Sequence, residues 1–147
     1  MPVHLDSTSE QNILNMLMDQ SVISIDQMTK IKSMSKEIGK SRLETAFELN
    51  LTDEKKIISI LSKSYSLDTV DLKKYKITDK LKKIVPLDYI RNNTLVPFEI
   101  ANGILKIAIP DASKLSLMKN LKTMTKMDPE LYAATISDIG DFITRMS

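Results

Sequence analysis

Four groups of residues in this chain are of types that do chemistry elsewhere. Gly39-Lys40-Ser41 is the end of the phosphate-loop pattern G-x-x-x-x-G-K-[ST]. That motif works when a glycine-rich turn between a strand and a helix aims backbone amides at phosphates. Here the first glycine of the pattern would fall on Met34, inside an apolar helical repeat, and no strand precedes it. The segment therefore reads as the C-cap of one helix followed by the N-cap of the next. Lys73, Lys74, Lys76, Lys80, Lys82 and Lys83 crowd one boundary, where they would suit an anionic head group or an acidic partner. Asp71 and Asp79 dilute that charge and aromatic residues are few, so a solvated boundary helix is the simpler reading. Asp53-Glu54 and Asp138 stand at helix starts, where capping and the helix dipole account for them. His4, the single histidine, reads as a tail residue rather than a ligand.

Composition narrows the chemistry further. The net charge of +2 over 147 residues gives no case for nucleic-acid binding. There is no cysteine, which excludes disulfides and thiolate metal sites and fits a reducing compartment. Three glycines cannot build a phosphate cradle, and one histidine cannot complete a triad. No catalytic residue, cofactor or metal is expected. Met1-Pro2-Val3-His4 is neither basic nor followed by an apolar run, so it does not read as a signal peptide. No apolar stretch approaches the roughly 20 residues that span a bilayer.

The elements that would position these residues fall into two textures. Residues 1–73 carry 9 Lys+Arg against 11 Asp+Glu, and residues 74–147 carry 12 against 8. After a flexible tail (1–9), the spacing predicts a helical lobe over 10–65. Its four short helices are Glu10–Asp19 behind Ser7 or Ser9, a second opened by Ser24 or Asp26 and closed by Gly39, a third opened by Ser41, and Glu54–Tyr65 behind Thr52 or Asp53. A connector (66–78) is expected to dock Leu67, Val70 and Leu72 onto those helices. The remainder, 79–147, reads as a small α/β lobe. Thr78 caps a short helix and Pro86 fits the first turn of another. Two strands, 94–100 and 104–109, flank Asn102-Gly103, the strongest short hairpin signal. Pro97 marks an edge or a bulge. A helix behind Asp111 or Ser113 crosses to a third strand, 130–135, and Ser137 caps the last helix. The fold class is α+β, a helical lobe followed by ββαβα with a three-stranded sheet.

Several of these segments resemble one family in order and spacing. Ser66-Leu67-Asp68-Thr69-Val70-Asp71-Leu72 is similar to a G-L-P-x-V-D-L connector, and Ile84-Val85-Pro86-Leu87-Asp88-Tyr89-Ile90-Arg91 to an I-P-x-x-x-A-R helix. Leu95-Val96-Pro97-Phe98 resembles a V-I-P-L strand, and Leu105 to Asp111 an L-x-V-A-M-x-D-P strand end. With the closing helix from Asp138 to Arg145, residues 10–147 resemble the N-terminal domain of the secretion ATPases: general secretory pathway protein E and the type IV pilus assembly ATPases.

The resemblance implies a two-lobed, non-catalytic adaptor that couples a hexameric ATPase to the cytoplasmic part of an inner-membrane platform protein. The domain would be cytoplasmic and peripheral to that membrane, with the ATPase core in cis or in trans. It also implies an alternative. In a subset of the family the helical lobe senses cyclic di-GMP through two tandem repeats that begin R-L-G and end in glutamine. Ile13–Ser35 and Arg42–Ser64 can be laid over each other, Ile23 falling near Leu51 or Thr52. Here the first repeat starts Asn12-Ile13-Leu14, Glu44 follows Arg42-Leu43, Asn50 replaces the turn glycine, and Ser35 and Ser64 end the repeats. Arg42, the lobe's one arginine, is the candidate nucleotide contact. A dianionic dinucleotide needs arginines and close-approach glycines, so cyclic di-GMP is not the expected ligand.

Overall fold

The computed structural model describes residues 5–147, so His4 lies outside the described residues. The helical lobe is built from α1 (Ser7–Asp19), α2 (Ile25–Ile38), α3 (Arg42–Glu48) and α4 (Glu54–Tyr65). Polar residues at the starts fix the boundaries. Ser24 and Gln27 form a reciprocal capping box on α2, Ser41 accepts from the Glu44 N–H on α3, and Asp53 accepts from the Lys56 N–H on α4. Gly39 ends α2 in the left-handed region at φ 68°. Gly39-Lys40-Ser41 is thus cap followed by cap, and Lys40 pairs with Glu48. The start of α1 differs from the expectation. Asp6 is its N-cap, while Ser9 is buried and donates to Asp6 Oδ1 at 2.6 Å.

The lobe is a tandem repeat with an offset of 29 positions. Ser21 and Asn50 both take positive φ, and Ser24 and Asp53 both cap the following helix. The Val22 N–H bonds the Leu17 carbonyl as the Leu51 N–H bonds that of Ala46. The same offset superposes Ile23 on Thr52. Ile13, Leu14, Leu17, Ile23, Met28, Ile31, Leu43, Ala46 and Ile57 form the core between the four helices.

Next come α5 (Asp79–Ile84), capped by Thr78, and α6 (Leu87–Asn93), for which Pro86 is the N-cap. β1 (Val96–Ala101) and β2 (Ile104–Ile109) pair antiparallel through Asn102-Gly103, with a register shift between Pro97 and Glu99 where the proline cannot donate. The crossover begins as a 3-10 turn over Ala112–Leu117, capped by Asp111, and becomes α7 (Met118–Thr125). β3 (Asp128–Ala133) runs parallel to β2, in sheet order β1-β2-β3. The last helix, α8 (Ile136–Met146), is capped by Thr135 rather than Ser137. Central β2 buries Leu105, Ile107, Ala108 and Ile109 completely, as a strand covered on both faces must. Phe98 meets Tyr75 and Tyr132 edge-on at 4.9 and 5.3 Å between ring centroids.

The connector does not dock as expected. Leu67, Val70 and Leu72 pack into the core of the sheet lobe, not that of the helical lobe. Thr69 bridges Ala133, the Val70 N–H donates to the Ala133 carbonyl at 3.0 Å, and the Ala133 N–H donates to the Asp68 carbonyl at 2.8 Å. The free edge of β3 is the reason, since its unpaired amides and carbonyls capture the passing chain. Arg145 of α8 then holds the Leu72 and Tyr75 carbonyls at 3.0 and 3.1 Å.

Candidate functional site

Where the two lobes meet, the contacts that join them include one apolar anchor, one hydrogen-bonded carboxylate and one ion pair. Ile136, at the start of α8, is buried in the core of the helical lobe. Glu54, in the first turn of α4, accepts from the Ser137 N–H at 2.7 Å and from its hydroxyl at 2.8 Å. A carboxylate there satisfies a free amide of the first turn of α8 and faces the positive end of the helix. Lys114, only 3% exposed, reaches across to Asp6 Oδ1 at 3.0 Å. Burial pushes the Asp6 carboxyl up, but the Ser9 hydroxyl and the Lys114 ammonium outweigh it and hold it below its ordinary value. Nearby on α8, burial raises the Asp138 carboxyl, with Asp71, Asp141 and Glu54 adding to the rise and Lys73 opposing it.

Beside this seam lies a cavity of about 830 Å³, within the range of built ligand sites. Its wall comes from the Leu5–Glu10 segment, from α3, from the 50–53 turn, and from the starts of α4 and α8. Leu5, Leu43, Phe47 and Ile136 supply apolar surface. Asp6, Glu10, Glu44, Asp53 and Glu54 supply five carboxylates, and the lining contains no lysine, arginine or histidine. Three of the carboxylates have protein partners: Asp6 has Ser9 and Lys114, Asp53 caps Lys56, and Glu54 holds Ser137. Thr52 is 8% exposed, lines the cavity, and its Oγ1 has no hydrogen-bond partner.

Arg42 is half-buried at the first position of α3 and is not among the lining residues. Its neighbours Ser41, Leu43 and Glu44 are. The six boundary lysines are all exposed. Among the described residues no three His, Asp or Glu groups are placed to hold a metal ion. Sequence reading treated Asp53-Glu54 as capping residues. It missed that the same turn, with Glu10 and Glu44, walls a cavity. The 29-residue repeat was the available signal, because it sets Thr52 where its counterpart is the buried Ile23.

Residues 51–147 match the MshEN domain family. Over 131 residues the chain is 27% identical to the type IV pilus assembly ATPase PilB of Myxococcus xanthus, covering 88% of this chain and 23% of that protein. It is 20% identical over 123 residues to PilB of Thermus thermophilus, covering 82% of this chain and 14% of that one. The chain thus spans less than a quarter of the length of these relatives. Two solved structures share the fold at 18% identity. The N-terminal domain of XpsE has a TM-score of 0.65 over 99% of this chain and 98% of its own. The structure of MshE with cdg has a TM-score of 0.63 over 92% of this chain and 98% of its own. The expected family and the expected α+β fold both hold, and no described helix is long and apolar enough to cross a membrane. The chain is similar to part of the PilB ATPases and shares the fold of the XpsE N-terminal domain; it belongs to the MshEN domain family and is not an ATPase core.

Proposed function

We propose that this chain is a non-catalytic adaptor that couples a secretion or pilus assembly ATPase to the cytoplasmic domain of an inner-membrane platform protein. The observation that carries the reading is the seam. Two lobes, each with its own core, are joined by Ile136, Glu54–Ser137 and Asp6–Lys114, beside a cavity whose wall holds no nucleophile–base pair and no phosphate cradle. A joint of this kind offers a fixed, shaped surface to a protein partner without chemistry of its own. Under this reading the domain works in the cytoplasm, peripheral to the membrane through its partner, with the motor core in cis or in trans. Calorimetric titration with the cognate platform domain should give saturable binding. No association at high micromolar concentration would overturn the proposal.

The MshE structure with cdg motivates a second reading, a cyclic di-GMP sensor that uses Arg42. The tandem repeat supports it. The five carboxylates beside α3 and the absence of the R-L-G glycine at Glu44 weigh against a dianion there. A sensor would give saturable heat with cyclic di-GMP that Arg42→Ala abolishes. The adaptor reading expects no heat and no thermal stabilisation.

A further inference from the structure

We infer that the acidic cavity at the seam receives a basic, amphipathic peptide segment of a partner protein. The segment sets an apolar side chain against Leu5, Leu43, Phe47 and Ile136 and a lysine or arginine against the surrounding carboxylates. The inference rests on the adaptor reading for the kind of partner and adds its chemistry and its place.

Charge sets the sign of the ligand. The chain as a whole carries +2, yet the cavity wall carries five carboxylates and no cation. A carboxylate without a partner in a concave, partly apolar space attracts an incoming cation more strongly than one in open water. Asp6, Asp53 and Glu54 are already committed to Lys114, the α4 cap and Ser137. Glu10 and Glu44 have no side-chain partner within bonding distance among the described residues, although Lys40, paired with Glu48, lies near enough to feel Glu44. These two are the groups free to receive a guanidinium or an ammonium.

Thr52, a lining residue, marks where the second repeat departs from the first. In the first repeat its counterpart Ile23 is 1% exposed and packed in the core. In the second repeat a hydroxyl stands at the equivalent place, nine-tenths buried, with its oxygen unpartnered. The chemistry excludes two other occupants. Among the described residues no carboxylate trio is close enough for a metal ion, and an anionic ligand would meet the unpartnered carboxylates of Glu10 and Glu44. A volume of about 830 Å³ exceeds one side chain and suits two or three consecutive residues of a segment.

The test uses the 147-residue chain and a short, amidated, fluorescein-labelled peptide alternating leucine and lysine. Anisotropy should show saturable binding, weakened about tenfold or more by E10Q/E44Q, in keeping with the loss of two close charge contacts. A leucine–glutamate peptide should not bind, and a serine–lysine peptide should bind more weakly because the apolar wall goes unused. D26N/E37Q, which removes the same charge from α2 away from the cavity, should leave affinity unchanged. Circular dichroism confirms that both double variants are folded. Equal weakening by both double variants would reduce the effect to general attraction and overturn the inference. So would no binding, or spermidine competing as well as the peptide. The platform titration separates the two proposals. Platform binding that survives E10Q/E44Q leaves the adaptor and removes the cavity's role. Peptide binding without platform binding does the reverse.

Discussion

Thr94 closes α6 with φ at 51°, is 1% exposed, and has an Oγ1 without a partner. A β-branched residue in the left-handed region is strained, because its branched Cβ crowds the backbone there. The orphaned hydroxyl adds a desolvation cost. Thr94→Gly removes both at the loss of a methyl contact, and the expected net effect is a gain of about 1 kcal/mol. Thr94→Val keeps the strain and removes only the hydroxyl, so it should gain less. Urea unfolding midpoints of the two variants measure the difference. A loss of stability in Thr94→Gly would show that packing of the methyl outweighs the strain. Thr52 carries a similar orphaned oxygen, but its backbone is not in the left-handed region, so it has no strain for a glycine to relieve.

At the scale of elements, local signals were legible wherever local chemistry decides. Ser41 and Thr78 cap the elements that sequence assigned to them, and Ser24, Asp53 and Asp111 are each one of the two candidates it offered, because an Ncap oxygen acts within three residues. The Asn102-Gly103 hairpin formed for the same reason, with φ of 52° and 78°. Gly103→Ala should cost about 1 kcal/mol from backbone conformation alone, since a Cβ there would meet nothing within 4 Å. Gly39→Ala, open to solvent in the same way at φ 68°, should cost a similar amount. Thermal melts of both variants test whether strain, rather than contact, sets the value. The connector was not legible, because Asp68–Val70 joins the β3 edge through main-chain groups that every residue has. The cavity was missed for a related reason. Glu10, Glu44 and Glu54 stand on three helices, and only the packing of the lobes brings them to one wall.

For the whole molecule, the question is whether two cores unfold as one. Lys114 and Asp6 bear on it, because they tie the first helix to the crossover of the sheet lobe across 108 positions of sequence. The two ends of this pair are not equivalent. Lys114 is 3% exposed, whereas the Asp6 side chain is 30% exposed. Asp6→Asn removes no capping bond, since the Asp6 side chain makes none, but leaves a buried ammonium without its counter-charge, and should cost about 2–3 kcal/mol. Lys114→Met leaves a carboxylate that water can still reach and should cost about 1 kcal/mol or less. The pair also predicts a pH dependence of definite sign. The folded-state pKa of Asp6 lies below its ordinary 3.8, so the carboxylate contributes stability above that value. The contribution is lost as pH falls through the depressed folded value. The stability gap between the wild type and Asp6→Asn should therefore be constant near neutrality and close only below about pH 4. Denaturant unfolding followed separately at the helical and sheet lobes would read the coupling. Coincident transitions are expected in the wild type, with the helical lobe leading in Asp6→Asn. Coincident transitions in the variant as well would mean that Ile136 and the Glu54–Ser137 contact hold the seam without the ion pair.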